Sequence, residues 1–216
     1  VAKAAKAWTP LQTELLSDAF AQLRQVEARR KKLERLMVKE LIANPRWAGL
    51  WRLMGIRHRV AFALMAMVGD VHRFATAKKL VGYLGLAPRK TQSGNDKNGC
   101  DTGVGKFGRG DVRGLLIQSA HNALIQRQSP WHKWGWKLLV TKHRNEAAAA
   151  IARKITVSVW HLLMGHFTPL LEATDHLRTK LLRLATVLGK DVIQSLGFAD
   201  REAFLDAQIK SIQLSP

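Results

Sequence analysis

Cysteine occurs once in the 216 residues, at Cys100, which excludes an intrachain disulfide and a cysteine-based zinc site and fits a reducing, cytoplasmic setting. Long apolar runs are also missing. Stretches such as Val60 to Val68 are far too short to cross a bilayer, and residues 1–10 contain no signal-peptide core, so no membrane association is expected. Acidic residues are scarce: Asp and Glu total 16 against 35 Lys and Arg, giving a formal net charge of +19. Two-metal nuclease chemistry needs several carboxylates converging on Mg²⁺. Asp70, Asp96, Asp101 and Asp111 are the few acids near the conspicuous motifs, and none sits in a strand-borne pair. No metal site is expected in this chain.

Apolar residues make up 47% of the chain, enough for a packed core. The excess positive charge calls for a polyanionic partner, because each neutralised phosphate releases condensed counterions. An anionic membrane surface is the alternative. The cations are spread along the whole chain and not gathered on one amphipathic helix, which favours nucleic acid. The chain starts at Val1, so a piece of a longer protein is expected.

Periodicity predicts an all-α fold: a long coiled-coil-like helix, then a compact helical domain with a helix-hairpin-helix-like corner and a long glycine-rich basic loop. Residues 1–9 read as a linker, 10–45 as the coiled-coil helix, 46–165 as the main domain and 166–216 as a helical extension. In the first helix Leu16, Leu23, Arg30 and Met37 recur every seven residues, with Ala19, Val26 and Leu33 between them, an a/d seam interrupted once by charge. Such a seam pairs with another chain, making a homo-oligomer, or lies on its own domain. Asn44-Pro45 ends it. Further helices are expected around the turn at Gly55, after Thr76, from Asp111, from an Asn145 cap to Met164, from Pro169 to Leu188, and after Asp200 to about Lys210.

Three segments carry candidate chemistry. At Leu53-Met54-Gly55-Ile56-Arg57-His58 a glycine turn precedes a helix whose free N–H groups and positive end suit a phosphate, with Arg57, His58 and Arg59 adding charge; a plain packing corner is the other reading. The run from Ala87 to Gly110 has six glycines and the cations Arg89, Lys90, Lys97, Lys106 and Arg109. A loop of that length is unusual in a compact domain unless it is functional. Within it Ser93 is exposed in character, Gly94 permits close backbone approach, and Arg89 and Lys90 supply cations, which is what a hydroxyl attacking a phosphodiester needs. A serine before glycine is otherwise a turn residue. Gly103 to Gly110 then leads into a helix with Arg113 in its first turn, a pattern suited to cradling phosphates. It is not a P-loop, since the Gly-Lys-Ser/Thr order is absent. His161 and His166 lack metal-ligand spacing, and Trp131 and Trp134 read first as packing groups.

In order, Leu53-Met54-Gly55-Ile56, Val68-Gly69-Asp70, Phe74, Gly82-Tyr83-Leu84-Gly85-Leu86-Ala87-Pro88, Ser93-Gly94, Gly105 to Gly110 with Val112-Arg113, and Arg153-Lys154 form a specific succession. It resembles the C-terminal domain of the DEDD-type insertion-sequence transposases, which include the Piv-type DNA invertases and the bridge-RNA-guided recombinases. The resemblance covers roughly residues 46–165, and the helix at 10–45 resembles the coiled coil joining the two halves of those proteins. It implies a DNA transposase or recombinase with Ser93 as the nucleophile that links transiently to DNA. DNA contacts are implied at Gly55, Arg57, His58, Arg59, Arg89, Lys90, Gly94, Lys97, Lys106, Arg109 and Arg113. It further implies a separate RuvC-like domain, unmatched in this chain, whose four acids bind Mg²⁺, and it adds a guide RNA as a candidate partner and a nucleoid-associated location. The sequence departs from the family at Arg57, where a second glycine is usual, and at Asp111, where asparagine is usual. A non-catalytic nucleic-acid-binding or oligomerisation module is the alternative.

Overall fold

A computed structural model of the chain describes residues 8–91, 100–105, 107–166 and 174–214. As expected, the described residues are mostly helical. Helix α1 (Pro10–Ala43) starts at a capping box: Gln12 N–H donates to the Thr9 hydroxyl, the Gln12 side chain accepts from Thr9 N–H, and Pro10 occupies the first turn, where its missing donor costs nothing. Only its last turns bury side chains, Val38 and Leu41, where it packs on α3 (His58–Val68) and α8 (Thr174–Leu188). Between them come α2 (Pro45–Ala48), a 3₁₀ turn (Gly49–Arg52) and the corner at Gly55.

The core is built on α7 (Arg144–Leu163), with α5 (Gly110–Ile125), α4 (Ala77–Tyr83) and α6 (His132–Leu139) against it. Ile151, Ile155, Val159 and Leu162 point inward from α7 at helical spacing and meet Leu116, Ala120, Ala123 and Leu80. Two short helices, α9 (Lys190–Ser195) and α10 (Arg201–Leu214), pack with α8. The α8 stripe Leu177, Leu181, Leu184 and Leu188 is buried, so the extension belongs to the same hydrophobic core as the main domain.

Several local details differ from the sequence reading. The cap of α7 is His143, whose Nδ1 accepts from Asn145 N–H, and not the Asn145 side chain. The segment around Trp131 and Trp134 contains helix α6. No strand was expected, yet the glycine-rich segment holds an antiparallel hairpin, β1 (Pro88–Thr91) with β2 (Cys100–Val104). Pro88 pairs with Val104 and Lys90 with Asp101, with one irregularity between them. Its few large apolar side chains and lack of clean alternation hid it from a periodicity reading.

Candidate functional site

The hairpin stands on a close crossing of two backbone segments. Gly85 (φ +69°) and Gly108 (φ +85°) both occupy the left-handed region, and each sits where a side chain has no room. A Cβ on Gly85 would lie 2.3 Å from the Phe107 carbonyl oxygen; one on Gly108 would lie 2.7 Å from the Tyr83 carbonyl oxygen. Around the crossing, Arg109 N–H donates to Tyr83 O (3.2 Å) and Gly105 N–H to Ala87 O (3.2 Å). The Arg113 guanidinium closes it: Nη1 donates to the carbonyls of Gly105 (3.1 Å), Phe107 (3.3 Å) and Gly85 (3.4 Å). From α7, Arg153 Nε donates to Leu86 O at 2.7 Å. Two arginines thus fix the base of the hairpin, and Arg113 Nη1 is a clasp on the protein's own carbonyls, at a residue whose pattern predicts a phosphate contact.

Arg109 is exposed toward solvent but paired. Its Nη2 and Nε reach the two carboxylate oxygens of Asp111 at 2.9 and 3.3 Å. That hydrogen bond holds the Asp111 carboxyl below its usual range and raises Arg109. Beside the hairpin, Pro88 and Val104 face Lys142, Glu146 and Arg153 across a groove of about 330 Å³. Arg89 and Lys90 belong to β1. Ser93, Gly94, Lys97 and Lys106 lie outside the described residues.

The corner is a second, separate feature. Gly55 has φ +87°, and a Cβ there would come within 3.1 Å of the Ser119 carbonyl oxygen, so glycine is needed on both counts. Arg57, by contrast, is extended (φ −119°, ψ 177°), a conformation open to any residue; the family's second glycine is dispensable at this position. Arg57 is the N-cap of α3 and offers no side-chain cap, so the helix's first N–H groups remain free of one. Arg59 is held by Glu34 of α1. Against the opposing pull of burial, that hydrogen bond and the charges of Arg59, His58 and Arg30 lower the Glu34 carboxyl. His58 is 7% exposed. Burial, opposed by Glu34 and aided by Arg57 and Arg59, pushes its pKa down.

Sequence reading missed Lys180. On α8 it falls among Leu177, Leu181 and Leu184, inside the apolar stripe, which was the available signal. Its Nζ donates to the carbonyls of Trp51 (2.7 Å) and Leu53 (2.6 Å), tying α8 to the corner. Desolvation, with the nearby Arg57, lowers its pKa to about 7. Among the described residues no group of three His, Cys, Asp or Glu side chains gathers to hold a metal, and no helix is long and apolar enough to cross a membrane.

Fold and site define a basic, mostly helical domain that carries a hairpin with a braced base and a long, largely uncovered helix. Comparisons narrow this class. Residues 49–136, from the 3₁₀ turn before the corner into α6, match the model of the transposase IS116/IS110/IS902 family. The transposase for insertion sequence element IS1111A of Coxiella burnetii is 32% identical over 112 residues, covering 50% of this chain and 30% of the relative. A "Probable family 20 transposase" of Pseudomonas aeruginosa is 29% identical over 153 residues, 69% of this chain and 45% of the relative. The matched family model and both relatives are described as transposases, so what the chain resembles is of one kind. The chain spans less than half the length of these curated relatives.

Proposed function

We propose that this chain is the DNA-binding, serine-bearing part of an insertion-sequence transposase. The observation that carries the reading is the braced hairpin base. Two positions with no room for a side chain, Gly85 and Gly108, plus the Arg113 and Arg153 clasps, hold the base of β1 and β2. The residues joining those strands in sequence include Ser93, Gly94 and Lys97. A nucleophile that must meet a phosphodiester in line benefits from such a fixed support. Arg89, Lys90, Lys97, Lys106 and Arg109 supply the field for phosphates, and Gly55, Arg57, His58 and Arg59 form a second contact at the corner.

In the proposed reaction the Ser93 oxygen bonds to phosphorus and a bridging P–O bond breaks. The serine loses its proton and the leaving sugar oxygen gains one. The phosphodiester is conserved as a serine–DNA ester, so rejoining to a new strand is the same step in reverse. Mg²⁺ belongs, in this proposal, to the RuvC-like acidic domain of the complete protein. The described acids and histidines of this chain do not fit a metal, and no step here is derived through it. A guide RNA is a further polyanion that the same cations would accept. The exposed seam of α1 assembles the protomers that strand exchange between two duplexes requires.

The test is Ser93→Ala in the full-length protein. Strand exchange and the covalent protein–DNA adduct are both lost, while duplex affinity changes by less than about twofold. Persisting recombination would leave only a non-catalytic nucleic-acid binder.

A further inference from the structure

A cavity of about 50 Å³ lies between the corner and α8, lined by Trp51, Arg57, His58, Lys180 and Arg183 together with apolar α8 side chains. It is the size of a few water molecules or one small oxyanion, too small for a base or a sugar. Its chemistry is one-sided. Two of its residues, Arg57 and Arg183, are fixed cations, Lys180 adds a third positive charge when protonated, and none is an acid; the nearest carboxylate acting on His58, Glu34, is held by Arg59. Among the described residues Arg57 and Arg183 have no ion-pair partner, and both are exposed.

Two ring nitrogens make the site more than a charged surface. Trp51 is 1% exposed and His58 7%. Trp51 Nε1 and His58 Nε2 are buried and, among the described residues, have no hydrogen-bond partner. Indole Nε1 can only donate, and His58 donates in the tautomer that carries its proton on Nε2. Buried donors without acceptors are rare, and each calls for a ligand or for strain that something else offsets. Lys180 uses two of its three donors on Trp51 O and Leu53 O, which leaves one. The α3 N-terminus, opened by Arg57 without a side-chain cap, adds its positive end. Donors with no acceptor, cations with no counterion and a small volume are complementary to a tetrahedral anion.

We propose that this cavity is a binding site for one phosphate-type oxyanion, held by Lys180, Arg57 and Arg183 and by the ring N–H groups of Trp51 and His58. It deepens the nucleic-acid reading above: a backbone phosphate seated there fixes the corner and α8 together on the polymer. A free phosphate has the same chemistry and stands as the second source. The residues that bind are drawn from both the family-matched segment and the α8 extension, so α8 becomes part of the site and not an appendage.

The experiment uses the 216-residue chain. Inorganic phosphate raises its melting temperature by about 3 °C over chloride at equal ionic strength. Arg183→Gln, an exposed change that leaves the core untouched, removes most of that difference. Trp51→Phe, which keeps the aromatic body and deletes the donor, does the same. Duplex affinity, followed by fluorescence anisotropy, then identifies the source. If Arg183→Gln also weakens duplex binding about tenfold and reduces the salt slope by about one, the occupant is a backbone phosphate. If duplex binding is unchanged, the occupant is free phosphate. The proposal is overturned if phosphate stabilises the wild type no more than chloride does, or stabilises Arg183→Gln equally. Failure of the nucleic-acid reading looks different: the wild type then shows no salt-dependent duplex binding, whatever phosphate does.

Discussion

At the scale of single residues, the motif Gly82-Tyr83-Leu84-Gly85 contains two glycines that do different things. Gly85 has a positive φ and meets Phe107 O and Arg113 at distances no Cβ tolerates, whereas a Cβ on Gly82 meets nothing within 4 Å. Gly85→Ala is therefore expected to destabilise the domain by about 3 kcal/mol. Gly82→Ala, inside α4, is expected to leave stability unchanged or raise it by up to about 1 kcal/mol. Urea unfolding midpoints of the two variants check this, and equal effects would contradict the backbone crossing. The same scale shows why Arg113 and Arg109 look alike in sequence and differ in space. Both lie in one glycine-punctuated basic stretch, but one guanidinium meets three carbonyls and the other a neighbouring carboxylate. Those acceptors come from positions that a local reading does not bring together, Gly85 among them.

Among the elements, α1 is the one whose composition and packing disagree most. Leu23 and Val26 are 52% and 61% exposed, and Leu33 of the same seam is also exposed. Only the end of the helix, at Val38 and Leu41, is covered by its own domain. This favours the intermolecular of the two readings that the heptad pattern left open. Acidic Glu14 and Asp18 lie toward one end and Arg29 to Lys32 beyond the middle, so an antiparallel second copy sets opposite charges against each other. Leu23→Glu is expected to shift the sedimentation-velocity distribution to monomer, weakening association at least about tenfold. Thermal unfolding of the monomer is expected to be unaltered, because Leu23 contacts no core. A wild-type chain that sediments as a monomer at all concentrations would remove the seam's role. The hairpin is the contrasting element. Its strands are short and glycine-rich, so no period announces them, and they exist because the crossing at Gly85 and Gly108 sets them side by side.

For the whole molecule the governing quantity is the formal charge of +19. A surface this basic is costly through self-repulsion unless counterions or a polyanion accompany it. Log duplex affinity is expected to fall linearly with log salt concentration, with about one unit of slope for every phosphate contacted. A flat plot from filter binding or anisotropy would instead mark the charge as incidental.

Composition, helical periodicity and the order of motifs determined by themselves that the chain is basic, mostly helical and like the insertion-sequence transposases, because these properties depend on residue type and spacing alone. Asn44-Pro45 and Asp200 mark helix ends in sequence because caps act within one turn. Only the tertiary structure decided which cations are free. The clasp of Arg113, the Arg59–Glu34 pair and the meeting of Lys180 with the corner join residues from separate elements. Guanidinium and ammonium groups take whatever acceptors the packing delivers, and packing across 129 residues of chain separation, as between Lys180 and Trp51, leaves no trace in local pattern.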